Sequence, residues 1–164
     1  MSKRKIEFSV APFWKFAMES LSFDKAFEFF SPFSGAGIKP HQVDANTIEV
    51  KMVQNLANTG YMGVHFGGSL YAMCDPFYMF LLIQNLGEQY IVWDKSAHID
   101  FVKGGKGTLT AIFHIPADEI IAIKEYLKEN KKGSRFYTAE VKNEEGEVVA
   151  RVKKELYVRR APGS

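Results

Sequence analysis

The longest nearly uncharged stretch of the chain covers residues 67–87, where Leu, Met, Phe, Tyr and Ala hold most positions. A helix that is apolar on almost every face is typical of a core helix packed on all sides. We therefore predict one long buried helix over residues 67–86, which a glycine pair opens and Gly87 ends. Pro76 interrupts the backbone hydrogen bonds of this helix and predicts a kink.

Alternating apolar and polar positions on either side of this stretch predict strands. One strand precedes the helix, and the others follow it; they cover residues 46–53, 90–103, 108–115, 135–143 and 147–160. The strand at 90–103 has a possible break at Asp94 and Lys95, and the last two strands form a hairpin.

Helical patterns and breakers account for most of the remaining chain. Aromatic residues at helical spacing predict one or two short helices within residues 10–31, broken near Ser22. Glycine and proline predict a loop over residues 31–40. An amphipathic pattern predicts a helix over residues 117–130, and residues 161–164 are expected to be a disordered tail.

The order of these elements predicts an α+β fold in a single domain, with a curved antiparallel sheet around the apolar helix. Residues 1–44 form N-terminal helices and a loop, residues 45–158 the core, and residues 159–164 the tail. A single sheet covers only part of a helix that is apolar all round. The remaining face needs the N-terminal helices or a second subunit.

One charged residue, Asp75, stands inside the apolar stretch. A carboxylate there loses its hydration, so it is expected only where it is paired or used. The helix start at Gly67 and Gly68 presents backbone N–H groups to whatever docks there. Backbone N–H donors and a carboxylate close to each other are typical of sites where a nucleophile attacks a carbonyl carbon. The alternative is a structural carboxylate that is bonded to a nearby hydroxyl or backbone group.

These residues resemble the hotdog-fold acyl-CoA thioesterases. Gly67 and Gly68, followed by Asp75 seven residues later, are similar to the phenylacetate-pathway branch. The longer pattern from Asn58 through Pro76, and then from Tyr90 to Phe101, resembles a subgroup labelled tetrameric acyl-CoA thioesterases. The resemblance covers about residues 45–158 and implies a hotdog fold, hydrolysis of acyl-CoA thioesters, and a homo-oligomer that is a dimer or a tetramer of dimers.

The resemblance also implies roles for individual residues. Asp75 matches the catalytic carboxylate, as general base for water or as nucleophile, and the N–H groups of Gly67 and Gly68 match the donors to the carbonyl oxygen. The family's His and Asn fall on Phe66 and Gly60 here, so the neighbouring His65 and Asn58 are the expected substitutes. The site is expected between two subunits, with Asp75 and the glycine donors from one and these two loop residues from the other. Further substrate contacts are expected from Phe66, Ser69, Tyr71 and Ser96.

Two other functions remain open on the same fold: a non-catalytic acyl-thioester or fatty-acid binding protein, and a less favoured hydratase or dehydratase. Aromatic and Met side chains are expected to line a lipophilic acyl tunnel; they are Tyr71, Met73, Phe77, Met79 and Phe80, together with residues of the N-terminal helices. No cofactor is expected, since coenzyme A is part of the substrate. No metal is expected either, because His98 and His114 lack metal-ligand spacing.

Charge and composition limit the partners. The net charge of +2 is too small to indicate nucleic acid. The basic residues of the last strand indicate a solvated sheet face or, alternatively, a contact with coenzyme A phosphates; they are Arg151, Lys153, Lys154, Arg159 and Arg160.

The chain is expected to be cytoplasmic and to act in lipid metabolism without membrane contact. The longest apolar run, residues 77–83, is far shorter than the ~20 residues that span a bilayer. The basic N-terminal stretch lacks the apolar segment of a secretory leader. The single cysteine, Cys74, allows no intramolecular disulfide and is expected to be a core thiol.

Overall fold

The computed structural model describes residues 11–162. The basic stretch 1–10 and the last two residues of the predicted tail lie outside the described residues. Within the described range the helices are α1 Pro12–Ser20, α2 Phe23–Glu28, α3 Ser31–Ala36, α4 Gly67–Ala72, α5 Phe77–Leu86 and α6 Ala117–Glu129. The strands are β1 Ile38–Asp44, β2 Thr47–Val53, β3 Tyr90–Phe101, β4 Thr108–His114, β5 Lys132–Lys142 and β6 Val148–Arg160.

The six strands of this range form one antiparallel sheet in the order β1-β2-β4-β5-β6-β3. Helix α5 packs against β2, β3 and β4. This arrangement confirms the predicted α+β class and the hotdog fold. Strands β1 and β3 are the two edges of the sheet, so each has a strand neighbour on one side only within the described chain.

The core lies between α5 and the inner face of the sheet. Phe77 and Leu81 of α5 are fully buried, and the Phe77 ring centroid lies 5.1 Å from that of Phe113 on β4. Helices α1 to α3 cover another face of α5, where the ring centroids of Trp14 and Phe27 lie 6.4 and 5.4 Å from that of Phe80. The N-terminal helices therefore supply part of the cover that the apolar helix requires.

The acyl tunnel predicted along this helix is wrong for two of its residues. Met73 and Phe77 are fully buried and belong to the hydrophobic core. Phe77 packs against the rings of Phe27, Phe33 and Phe113 at 5.1–5.9 Å between centroids. These aromatic side chains fill the interior by packing against one another, which is what close-packed cores do.

The single long helix is also wrong, because the chain leaves the helix at residues 73–76. Helix α4 ends at Ala72, and α5 begins at Phe77 with Pro76 as its N-cap residue. Proline has no N–H to donate and its ring clashes with the preceding turn, so it is favoured at a helix start and disfavoured inside one. The effect of Pro76 is a break that places Asp75 in a turn.

The loop predicted over residues 31–40 is wrong as well, since α3 and the first residues of β1 occupy it. Pro32 stands in the first turn of α3, where its missing N–H costs nothing. Gly37 ends that helix with φ of 68°, a left-handed conformation that favours glycine. Pro40 lies within β1, which tolerates it as an edge strand.

We expect Phe77→Ala to lower the free energy of unfolding by about 3–5 kcal/mol, because it leaves a cavity among packed rings. Urea denaturation followed by circular dichroism measures this loss. The matched control is Phe136→Ala, since Phe136 on β5 is 73% exposed and its truncation removes little buried surface. Equal losses in the two variants would contradict the assignment of Phe77 to the core.

Candidate functional site

Asp75 lies in the turn between α4 and α5 and is only half buried, with 45% of its side chain exposed. The expectation of a carboxylate enclosed by apolar groups is therefore wrong. Its Oδ1 accepts hydrogen bonds from the Tyr71 hydroxyl at 2.8 Å and from Lys154 Nζ at 2.6 Å. Among the described residues, Oδ2 has no hydrogen-bond partner, so one oxygen of this carboxylate is held and the other is open.

Lys154 of β6 is the buried cation of the site, with 1% of its side chain exposed. Its Nζ also lies 3.0 Å from Oδ1 of Asp94 and 3.5 Å from the Tyr71 hydroxyl, and it sits 5.4 Å from the centroid of the Tyr71 ring. The expectation that Lys154 belongs to a solvated sheet face is wrong. A buried ammonium requires such partners, and removing one partner of a buried pair costs about 3–5 kcal/mol.

Asp94 reaches this cluster from strand β3, directly before a β-bulge. The pairing with β6 shifts between Asp94, opposite Leu156, and Ser96, opposite Glu155, so that Lys95 is the extra residue. The bulge confirms the possible break noted in the sequence, and bulges next to functional sites commonly re-aim a side chain. Asp94 lies in the inward phase of the strand with the buried Val92, and the bulge places Ser96 after it on the outer surface.

The ionisation of these groups follows from burial and pairing. Burial opposes the charge of Lys154, but its contacts with Asp75 and Asp94 outweigh that effect and raise the pKa of Lys154 above its ordinary value. Burial raises the pKa of Asp94, although Lys154 counteracts the rise. Burial and the hydrogen bond to Asp75 raise the pKa of the Tyr71 hydroxyl. Lys154 is thus held charged, and Tyr71 remains a neutral donor.

The glycine pair Gly67 and Gly68 begins α4, as predicted, and its backbone N–H groups are free to bind a ligand. Ser69 and Leu70 donate their N–H groups to the carbonyl of Phe66, the N-cap residue. The N–H groups of Gly67 and Gly68 have no acceptor among residues 11–162, as expected for the first N–H groups of a helix. A Cβ on Gly67 would lie 3.1 Å from the Phe101 ring, so a ring closes over the space where a side chain would stand.

Asn58 and His65 hold the loop before α4 in place. Asn58 is fully buried; its Oδ1 accepts from the N–H of Asn55 at 2.8 Å, and its Nδ2 donates to the carbonyls of Ala36 and Val53 at 2.9 and 2.8 Å. His65 Nε2 lies 2.9 Å from the carbonyl of Gly107 and so carries the proton. The buried Nδ1 has no hydrogen-bond partner in the described part of the chain. Both side chains serve the loop.

The residues expected to touch substrate occupy three different places. Phe66 is exposed at the start of α4, and Ser69 is nearly buried in its first turn. The hydroxyl of Tyr71 is engaged by Asp75. Ser96 lies on the outer face of the sheet and donates to Glu155 Oε2 at 3.0 Å. Lys95, Ser134 and Ser96 together lower the pKa of Glu155 to about 2, so Ser96 belongs to that surface network.

Sequence reasoning missed Lys154, although the alternation of the last strand contains the signal. The inward positions of β6 are Val152, Leu156 and Val158, all buried, and Lys154 falls on the same parity. A lysine in the apolar phase of a strand predicts a buried cation with an acidic partner. Because the basic residues of this strand were considered as one group, the inward position of Lys154 was overlooked.

Two further expectations concern metals and membranes. Within residues 11–162, no group of three or more His, Cys, Asp and Glu side chains is placed to hold a metal ion. His98 contacts Asp100 and His114 contacts Thr47. None of the helices of this range has the length and apolar content needed to cross a bilayer.

Comparison with known proteins supports the fold. The family described as "Domain of unknown function (DUF4442)" matches residues 20–158. PA5026 of Pseudomonas aeruginosa, a protein of unknown function described as "Probable Thioesterase", is similar in structure with a TM-score of 0.77 and 17% identity over 84% of this chain and 93% of that one. None of the curated proteins matches the chain significantly.

Two other solved structures are similar in the same way. A protein of unknown function from Chlorobaculum tepidum, OLEI01261, has a TM-score of 0.69 and 15% identity over 84% of this chain and 92% of that one. The thioesterase HI1161 of Haemophilus influenzae has a TM-score of 0.63 and 16% identity over 84% and 87%. At these identities the likeness concerns the fold.

Cys74, the neighbour of Asp75, is fully buried, and burial raises the pKa of its thiol to about 12. We expect no reaction of the native protein with a thiol reagent such as Ellman's at mildly alkaline pH, because the reactive thiolate is absent and the sulfur is inaccessible. In urea the same reagent should label the one cysteine of the chain. Rapid stoichiometric labelling of the native protein would show that the thiol is not in the core.

Proposed function

We propose that this chain, which belongs to the family described as "Domain of unknown function (DUF4442)", hydrolyses acyl-CoA thioesters. The observation that carries the proposal is the half-exposed Asp75, whose Oδ1 is held by two donors while Oδ2 is open. Two of the similar structures are described as thioesterases, which supports hydrolysis of a thioester on this fold. Acyl-CoA as the substrate class comes from the resemblance of the helix start.

In the proposed reaction, Oδ2 of Asp75 acts as the general base. It takes a proton from a water molecule, and the oxygen of that water forms a bond to the carbonyl carbon of the thioester. The negative charge that develops on the carbonyl oxygen is stabilised by the free N–H groups of Gly67 and Gly68. When the tetrahedral intermediate collapses, the carbon–sulfur bond breaks, and the thiolate takes the proton from Asp75.

The spacing of these groups argues for a site made by two protomers. From Gly68 to Ala72, α4 rises about 6 Å along its axis, and Asp75 lies beyond that end in the turn that follows. A carbonyl oxygen and a water attacking its carbon lie much closer together than that. We therefore propose that Gly67 and Gly68 of one protomer act together with Asp75 of a second copy, instead of both coming from one subunit.

The free edge of β3 is the proposed dimer contact. This strand is 12 residues long and has β6 as its neighbour on one side only within the described chain. An unpaired edge of that length is a template for another strand. A second copy that pairs there would extend the sheet and cover the turn that carries Asp75, because Asp94 of the same strand lies beside Lys154.

A non-catalytic acyl-thioester binding protein is the second candidate. Phe66 and Gly60 depart from the family's His and Asn, and this observation favours it. The neighbouring Asn58 and His65 are engaged in loop contacts, so neither has a free donor for water among its side-chain groups. Tight binding of an acyl-CoA that remains intact would select this candidate.

We expect the wild-type protein to release free thiol from at least one member of a panel of short, long and aromatic acyl-CoAs. Asp75→Asn should lower kcat by about 100-fold or more, because it removes the general base and keeps the shape of the side chain. The matched control is Asp100→Asn on the outer face of β3, where the side chain pairs with His98 and Lys153. Thiol release is followed with a chromogenic disulfide.

Loss of turnover in Asp75→Asn alone supports the proposal, and the panel defines the acyl group. If both Asp variants turn over at the wild-type rate, Asp75 is not the base. If the wild-type protein hydrolyses none of the panel but binds one member tightly, the binding-protein candidate replaces hydrolysis.

Complementation tests the two-protomer site. Gly67→Pro removes one donor, and Phe66 has φ of −63° and ψ of 130°, a conformation that a following proline accepts at the first helical position. We expect Gly67→Pro and Asp75→Asn to be inactive separately. Mixed by joint refolding or co-expression, they should recover about a quarter of wild-type activity, because half of the dimers contain one intact site of two.

A mixture that stays inactive while mass spectrometry detects the mixed dimer would mean that both groups come from one protomer. A Phe101→Ala variant of the Gly67→Pro chain relieves the contact of the new side chain with that ring. This double variant separates the effect of losing the N–H donor of Gly67 from the effect of a steric clash with Phe101.

A further inference from the structure

We propose that Lys154, held in place by Asp94, is a positioning residue that fixes the orientation of Asp75 and sets how readily it accepts a proton. The inference rests on the proposed function in that Asp75 is taken as the base. It adds two residues, from β6 and β3, that contact neither the water nor the thioester and act through Asp75.

The first argument is the geometry of the ammonium group. Its Nζ donates to Oδ1 of Asp75 at 2.6 Å and to the Tyr71 hydroxyl at 3.5 Å, and it lies 3.0 Å from Oδ1 of Asp94 in an ion pair without hydrogen-bond geometry. With 1% of its side chain exposed, Lys154 has no comparable position in water available without unpacking β6. The cation is therefore a fixed point to which Asp75 is attached.

The second argument is which oxygen of Asp75 is bound. Tyr71 and Lys154 both contact Oδ1, which restrains rotation of the carboxylate. Oδ2 is then presented at the half-exposed side of the turn. A base must be held within hydrogen-bond reach of the proton that it removes, so this restraint prepares the free oxygen for its water.

The third argument is charge. The groups that face Asp75 are Tyr71, Cys74, Asp94 and Lys154, and burial keeps Tyr71 and Cys74 neutral by raising their pKa values. One cation thus stands between two carboxylates. The ammonium attracts the negative charge of Asp75, whereas the second carboxylate repels it. These two influences have opposite signs, so each can be removed separately.

The fourth argument is the place of Asp94 in strand β3. Asp94 follows Tyr90 and Val92 in the inward phase of the strand and lies opposite the buried Leu156. This phase is otherwise apolar at that end of the strand, so a carboxylate there needs a buried cation as its partner.

We test the proposal with Lys154→Met and Asp94→Asn, using two readouts. Carbon-13 NMR follows the carboxyl titration of Asp75, assigned by the signal that Asp75→Asn lacks. The pH profile of kcat for thioester hydrolysis gives its acid limb. In Lys154→Met both should move to higher pH by about one unit, and in Asp94→Asn both should move to lower pH by a similar amount.

The controls are Lys153→Met and Asp100→Asn, which change the same residue types on the outer faces of the same strands and should leave both readouts unchanged. Shifts that are absent, or that have the same sign in the two test variants, would overturn the proposal. If Lys154→Met does not fold, Asp94→Asn alone decides, since the downward shift of the NMR titration is required.

The two readouts also separate this inference from the proposed function. Opposite NMR shifts show that Lys154 and Asp94 act on the charge of Asp75 even where the wild-type protein hydrolyses no thioester, and in that case it is the proposed activity that fails. Opposite NMR shifts with an unchanged kcat profile assign the base to another group. Lys154→Arg keeps the positive charge, so its pH profile of kcat should stay close to that of the wild-type protein if charge is the cause.

Discussion

A charged side chain inside a protein needs an opposite charge beside it. Lys154 of β6 imposes this requirement on two other parts of the fold. Its ammonium group joins the turn after α4, through Asp75, to the edge strand β3, through Asp94. Both carboxylates must therefore occupy fixed positions for the inner face of β6 to pack. The break of the central helix brings Asp75 there, and the inward phase of β3 brings Asp94 there.

The break of the helix has a simple origin in one residue. Pro76 cannot donate a backbone hydrogen bond, so the chain makes a turn over residues 73–76 and begins again as α5. This turn moves Asp75 from the axis of a buried helix to a half-exposed position. A carboxylate that must exchange protons with water requires such access, and a continuous helix through the core would have denied it.

Much of the fold was predictable because its signals are local. Alternation located β2 to β6, and Ser22 caps α2 by accepting from the N–H of Lys25. The region from α3 to β1 escaped prediction, since Pro32, Gly37 and Pro40 are read as loop residues although each has a tolerated position in a helix start, a helix end or an edge strand. The glycine pair and Asp75 were identifiable as candidates, but Lys154 comes from 79 residues further along the chain.

Pairing across such a distance is decided by the sheet register, which a single sequence does not state. Two features of β3 depend on the same register. Its free edge is the proposed contact with a second copy, while its inner face supplies Asp94 to Lys154. A shift of that edge by one residue would move Asp94 to the opposite face of the sheet and leave the ammonium with one carboxylate. The state of the dimer contact and the pairing of Lys154 are thus physically linked, since both depend on the register of the same strand.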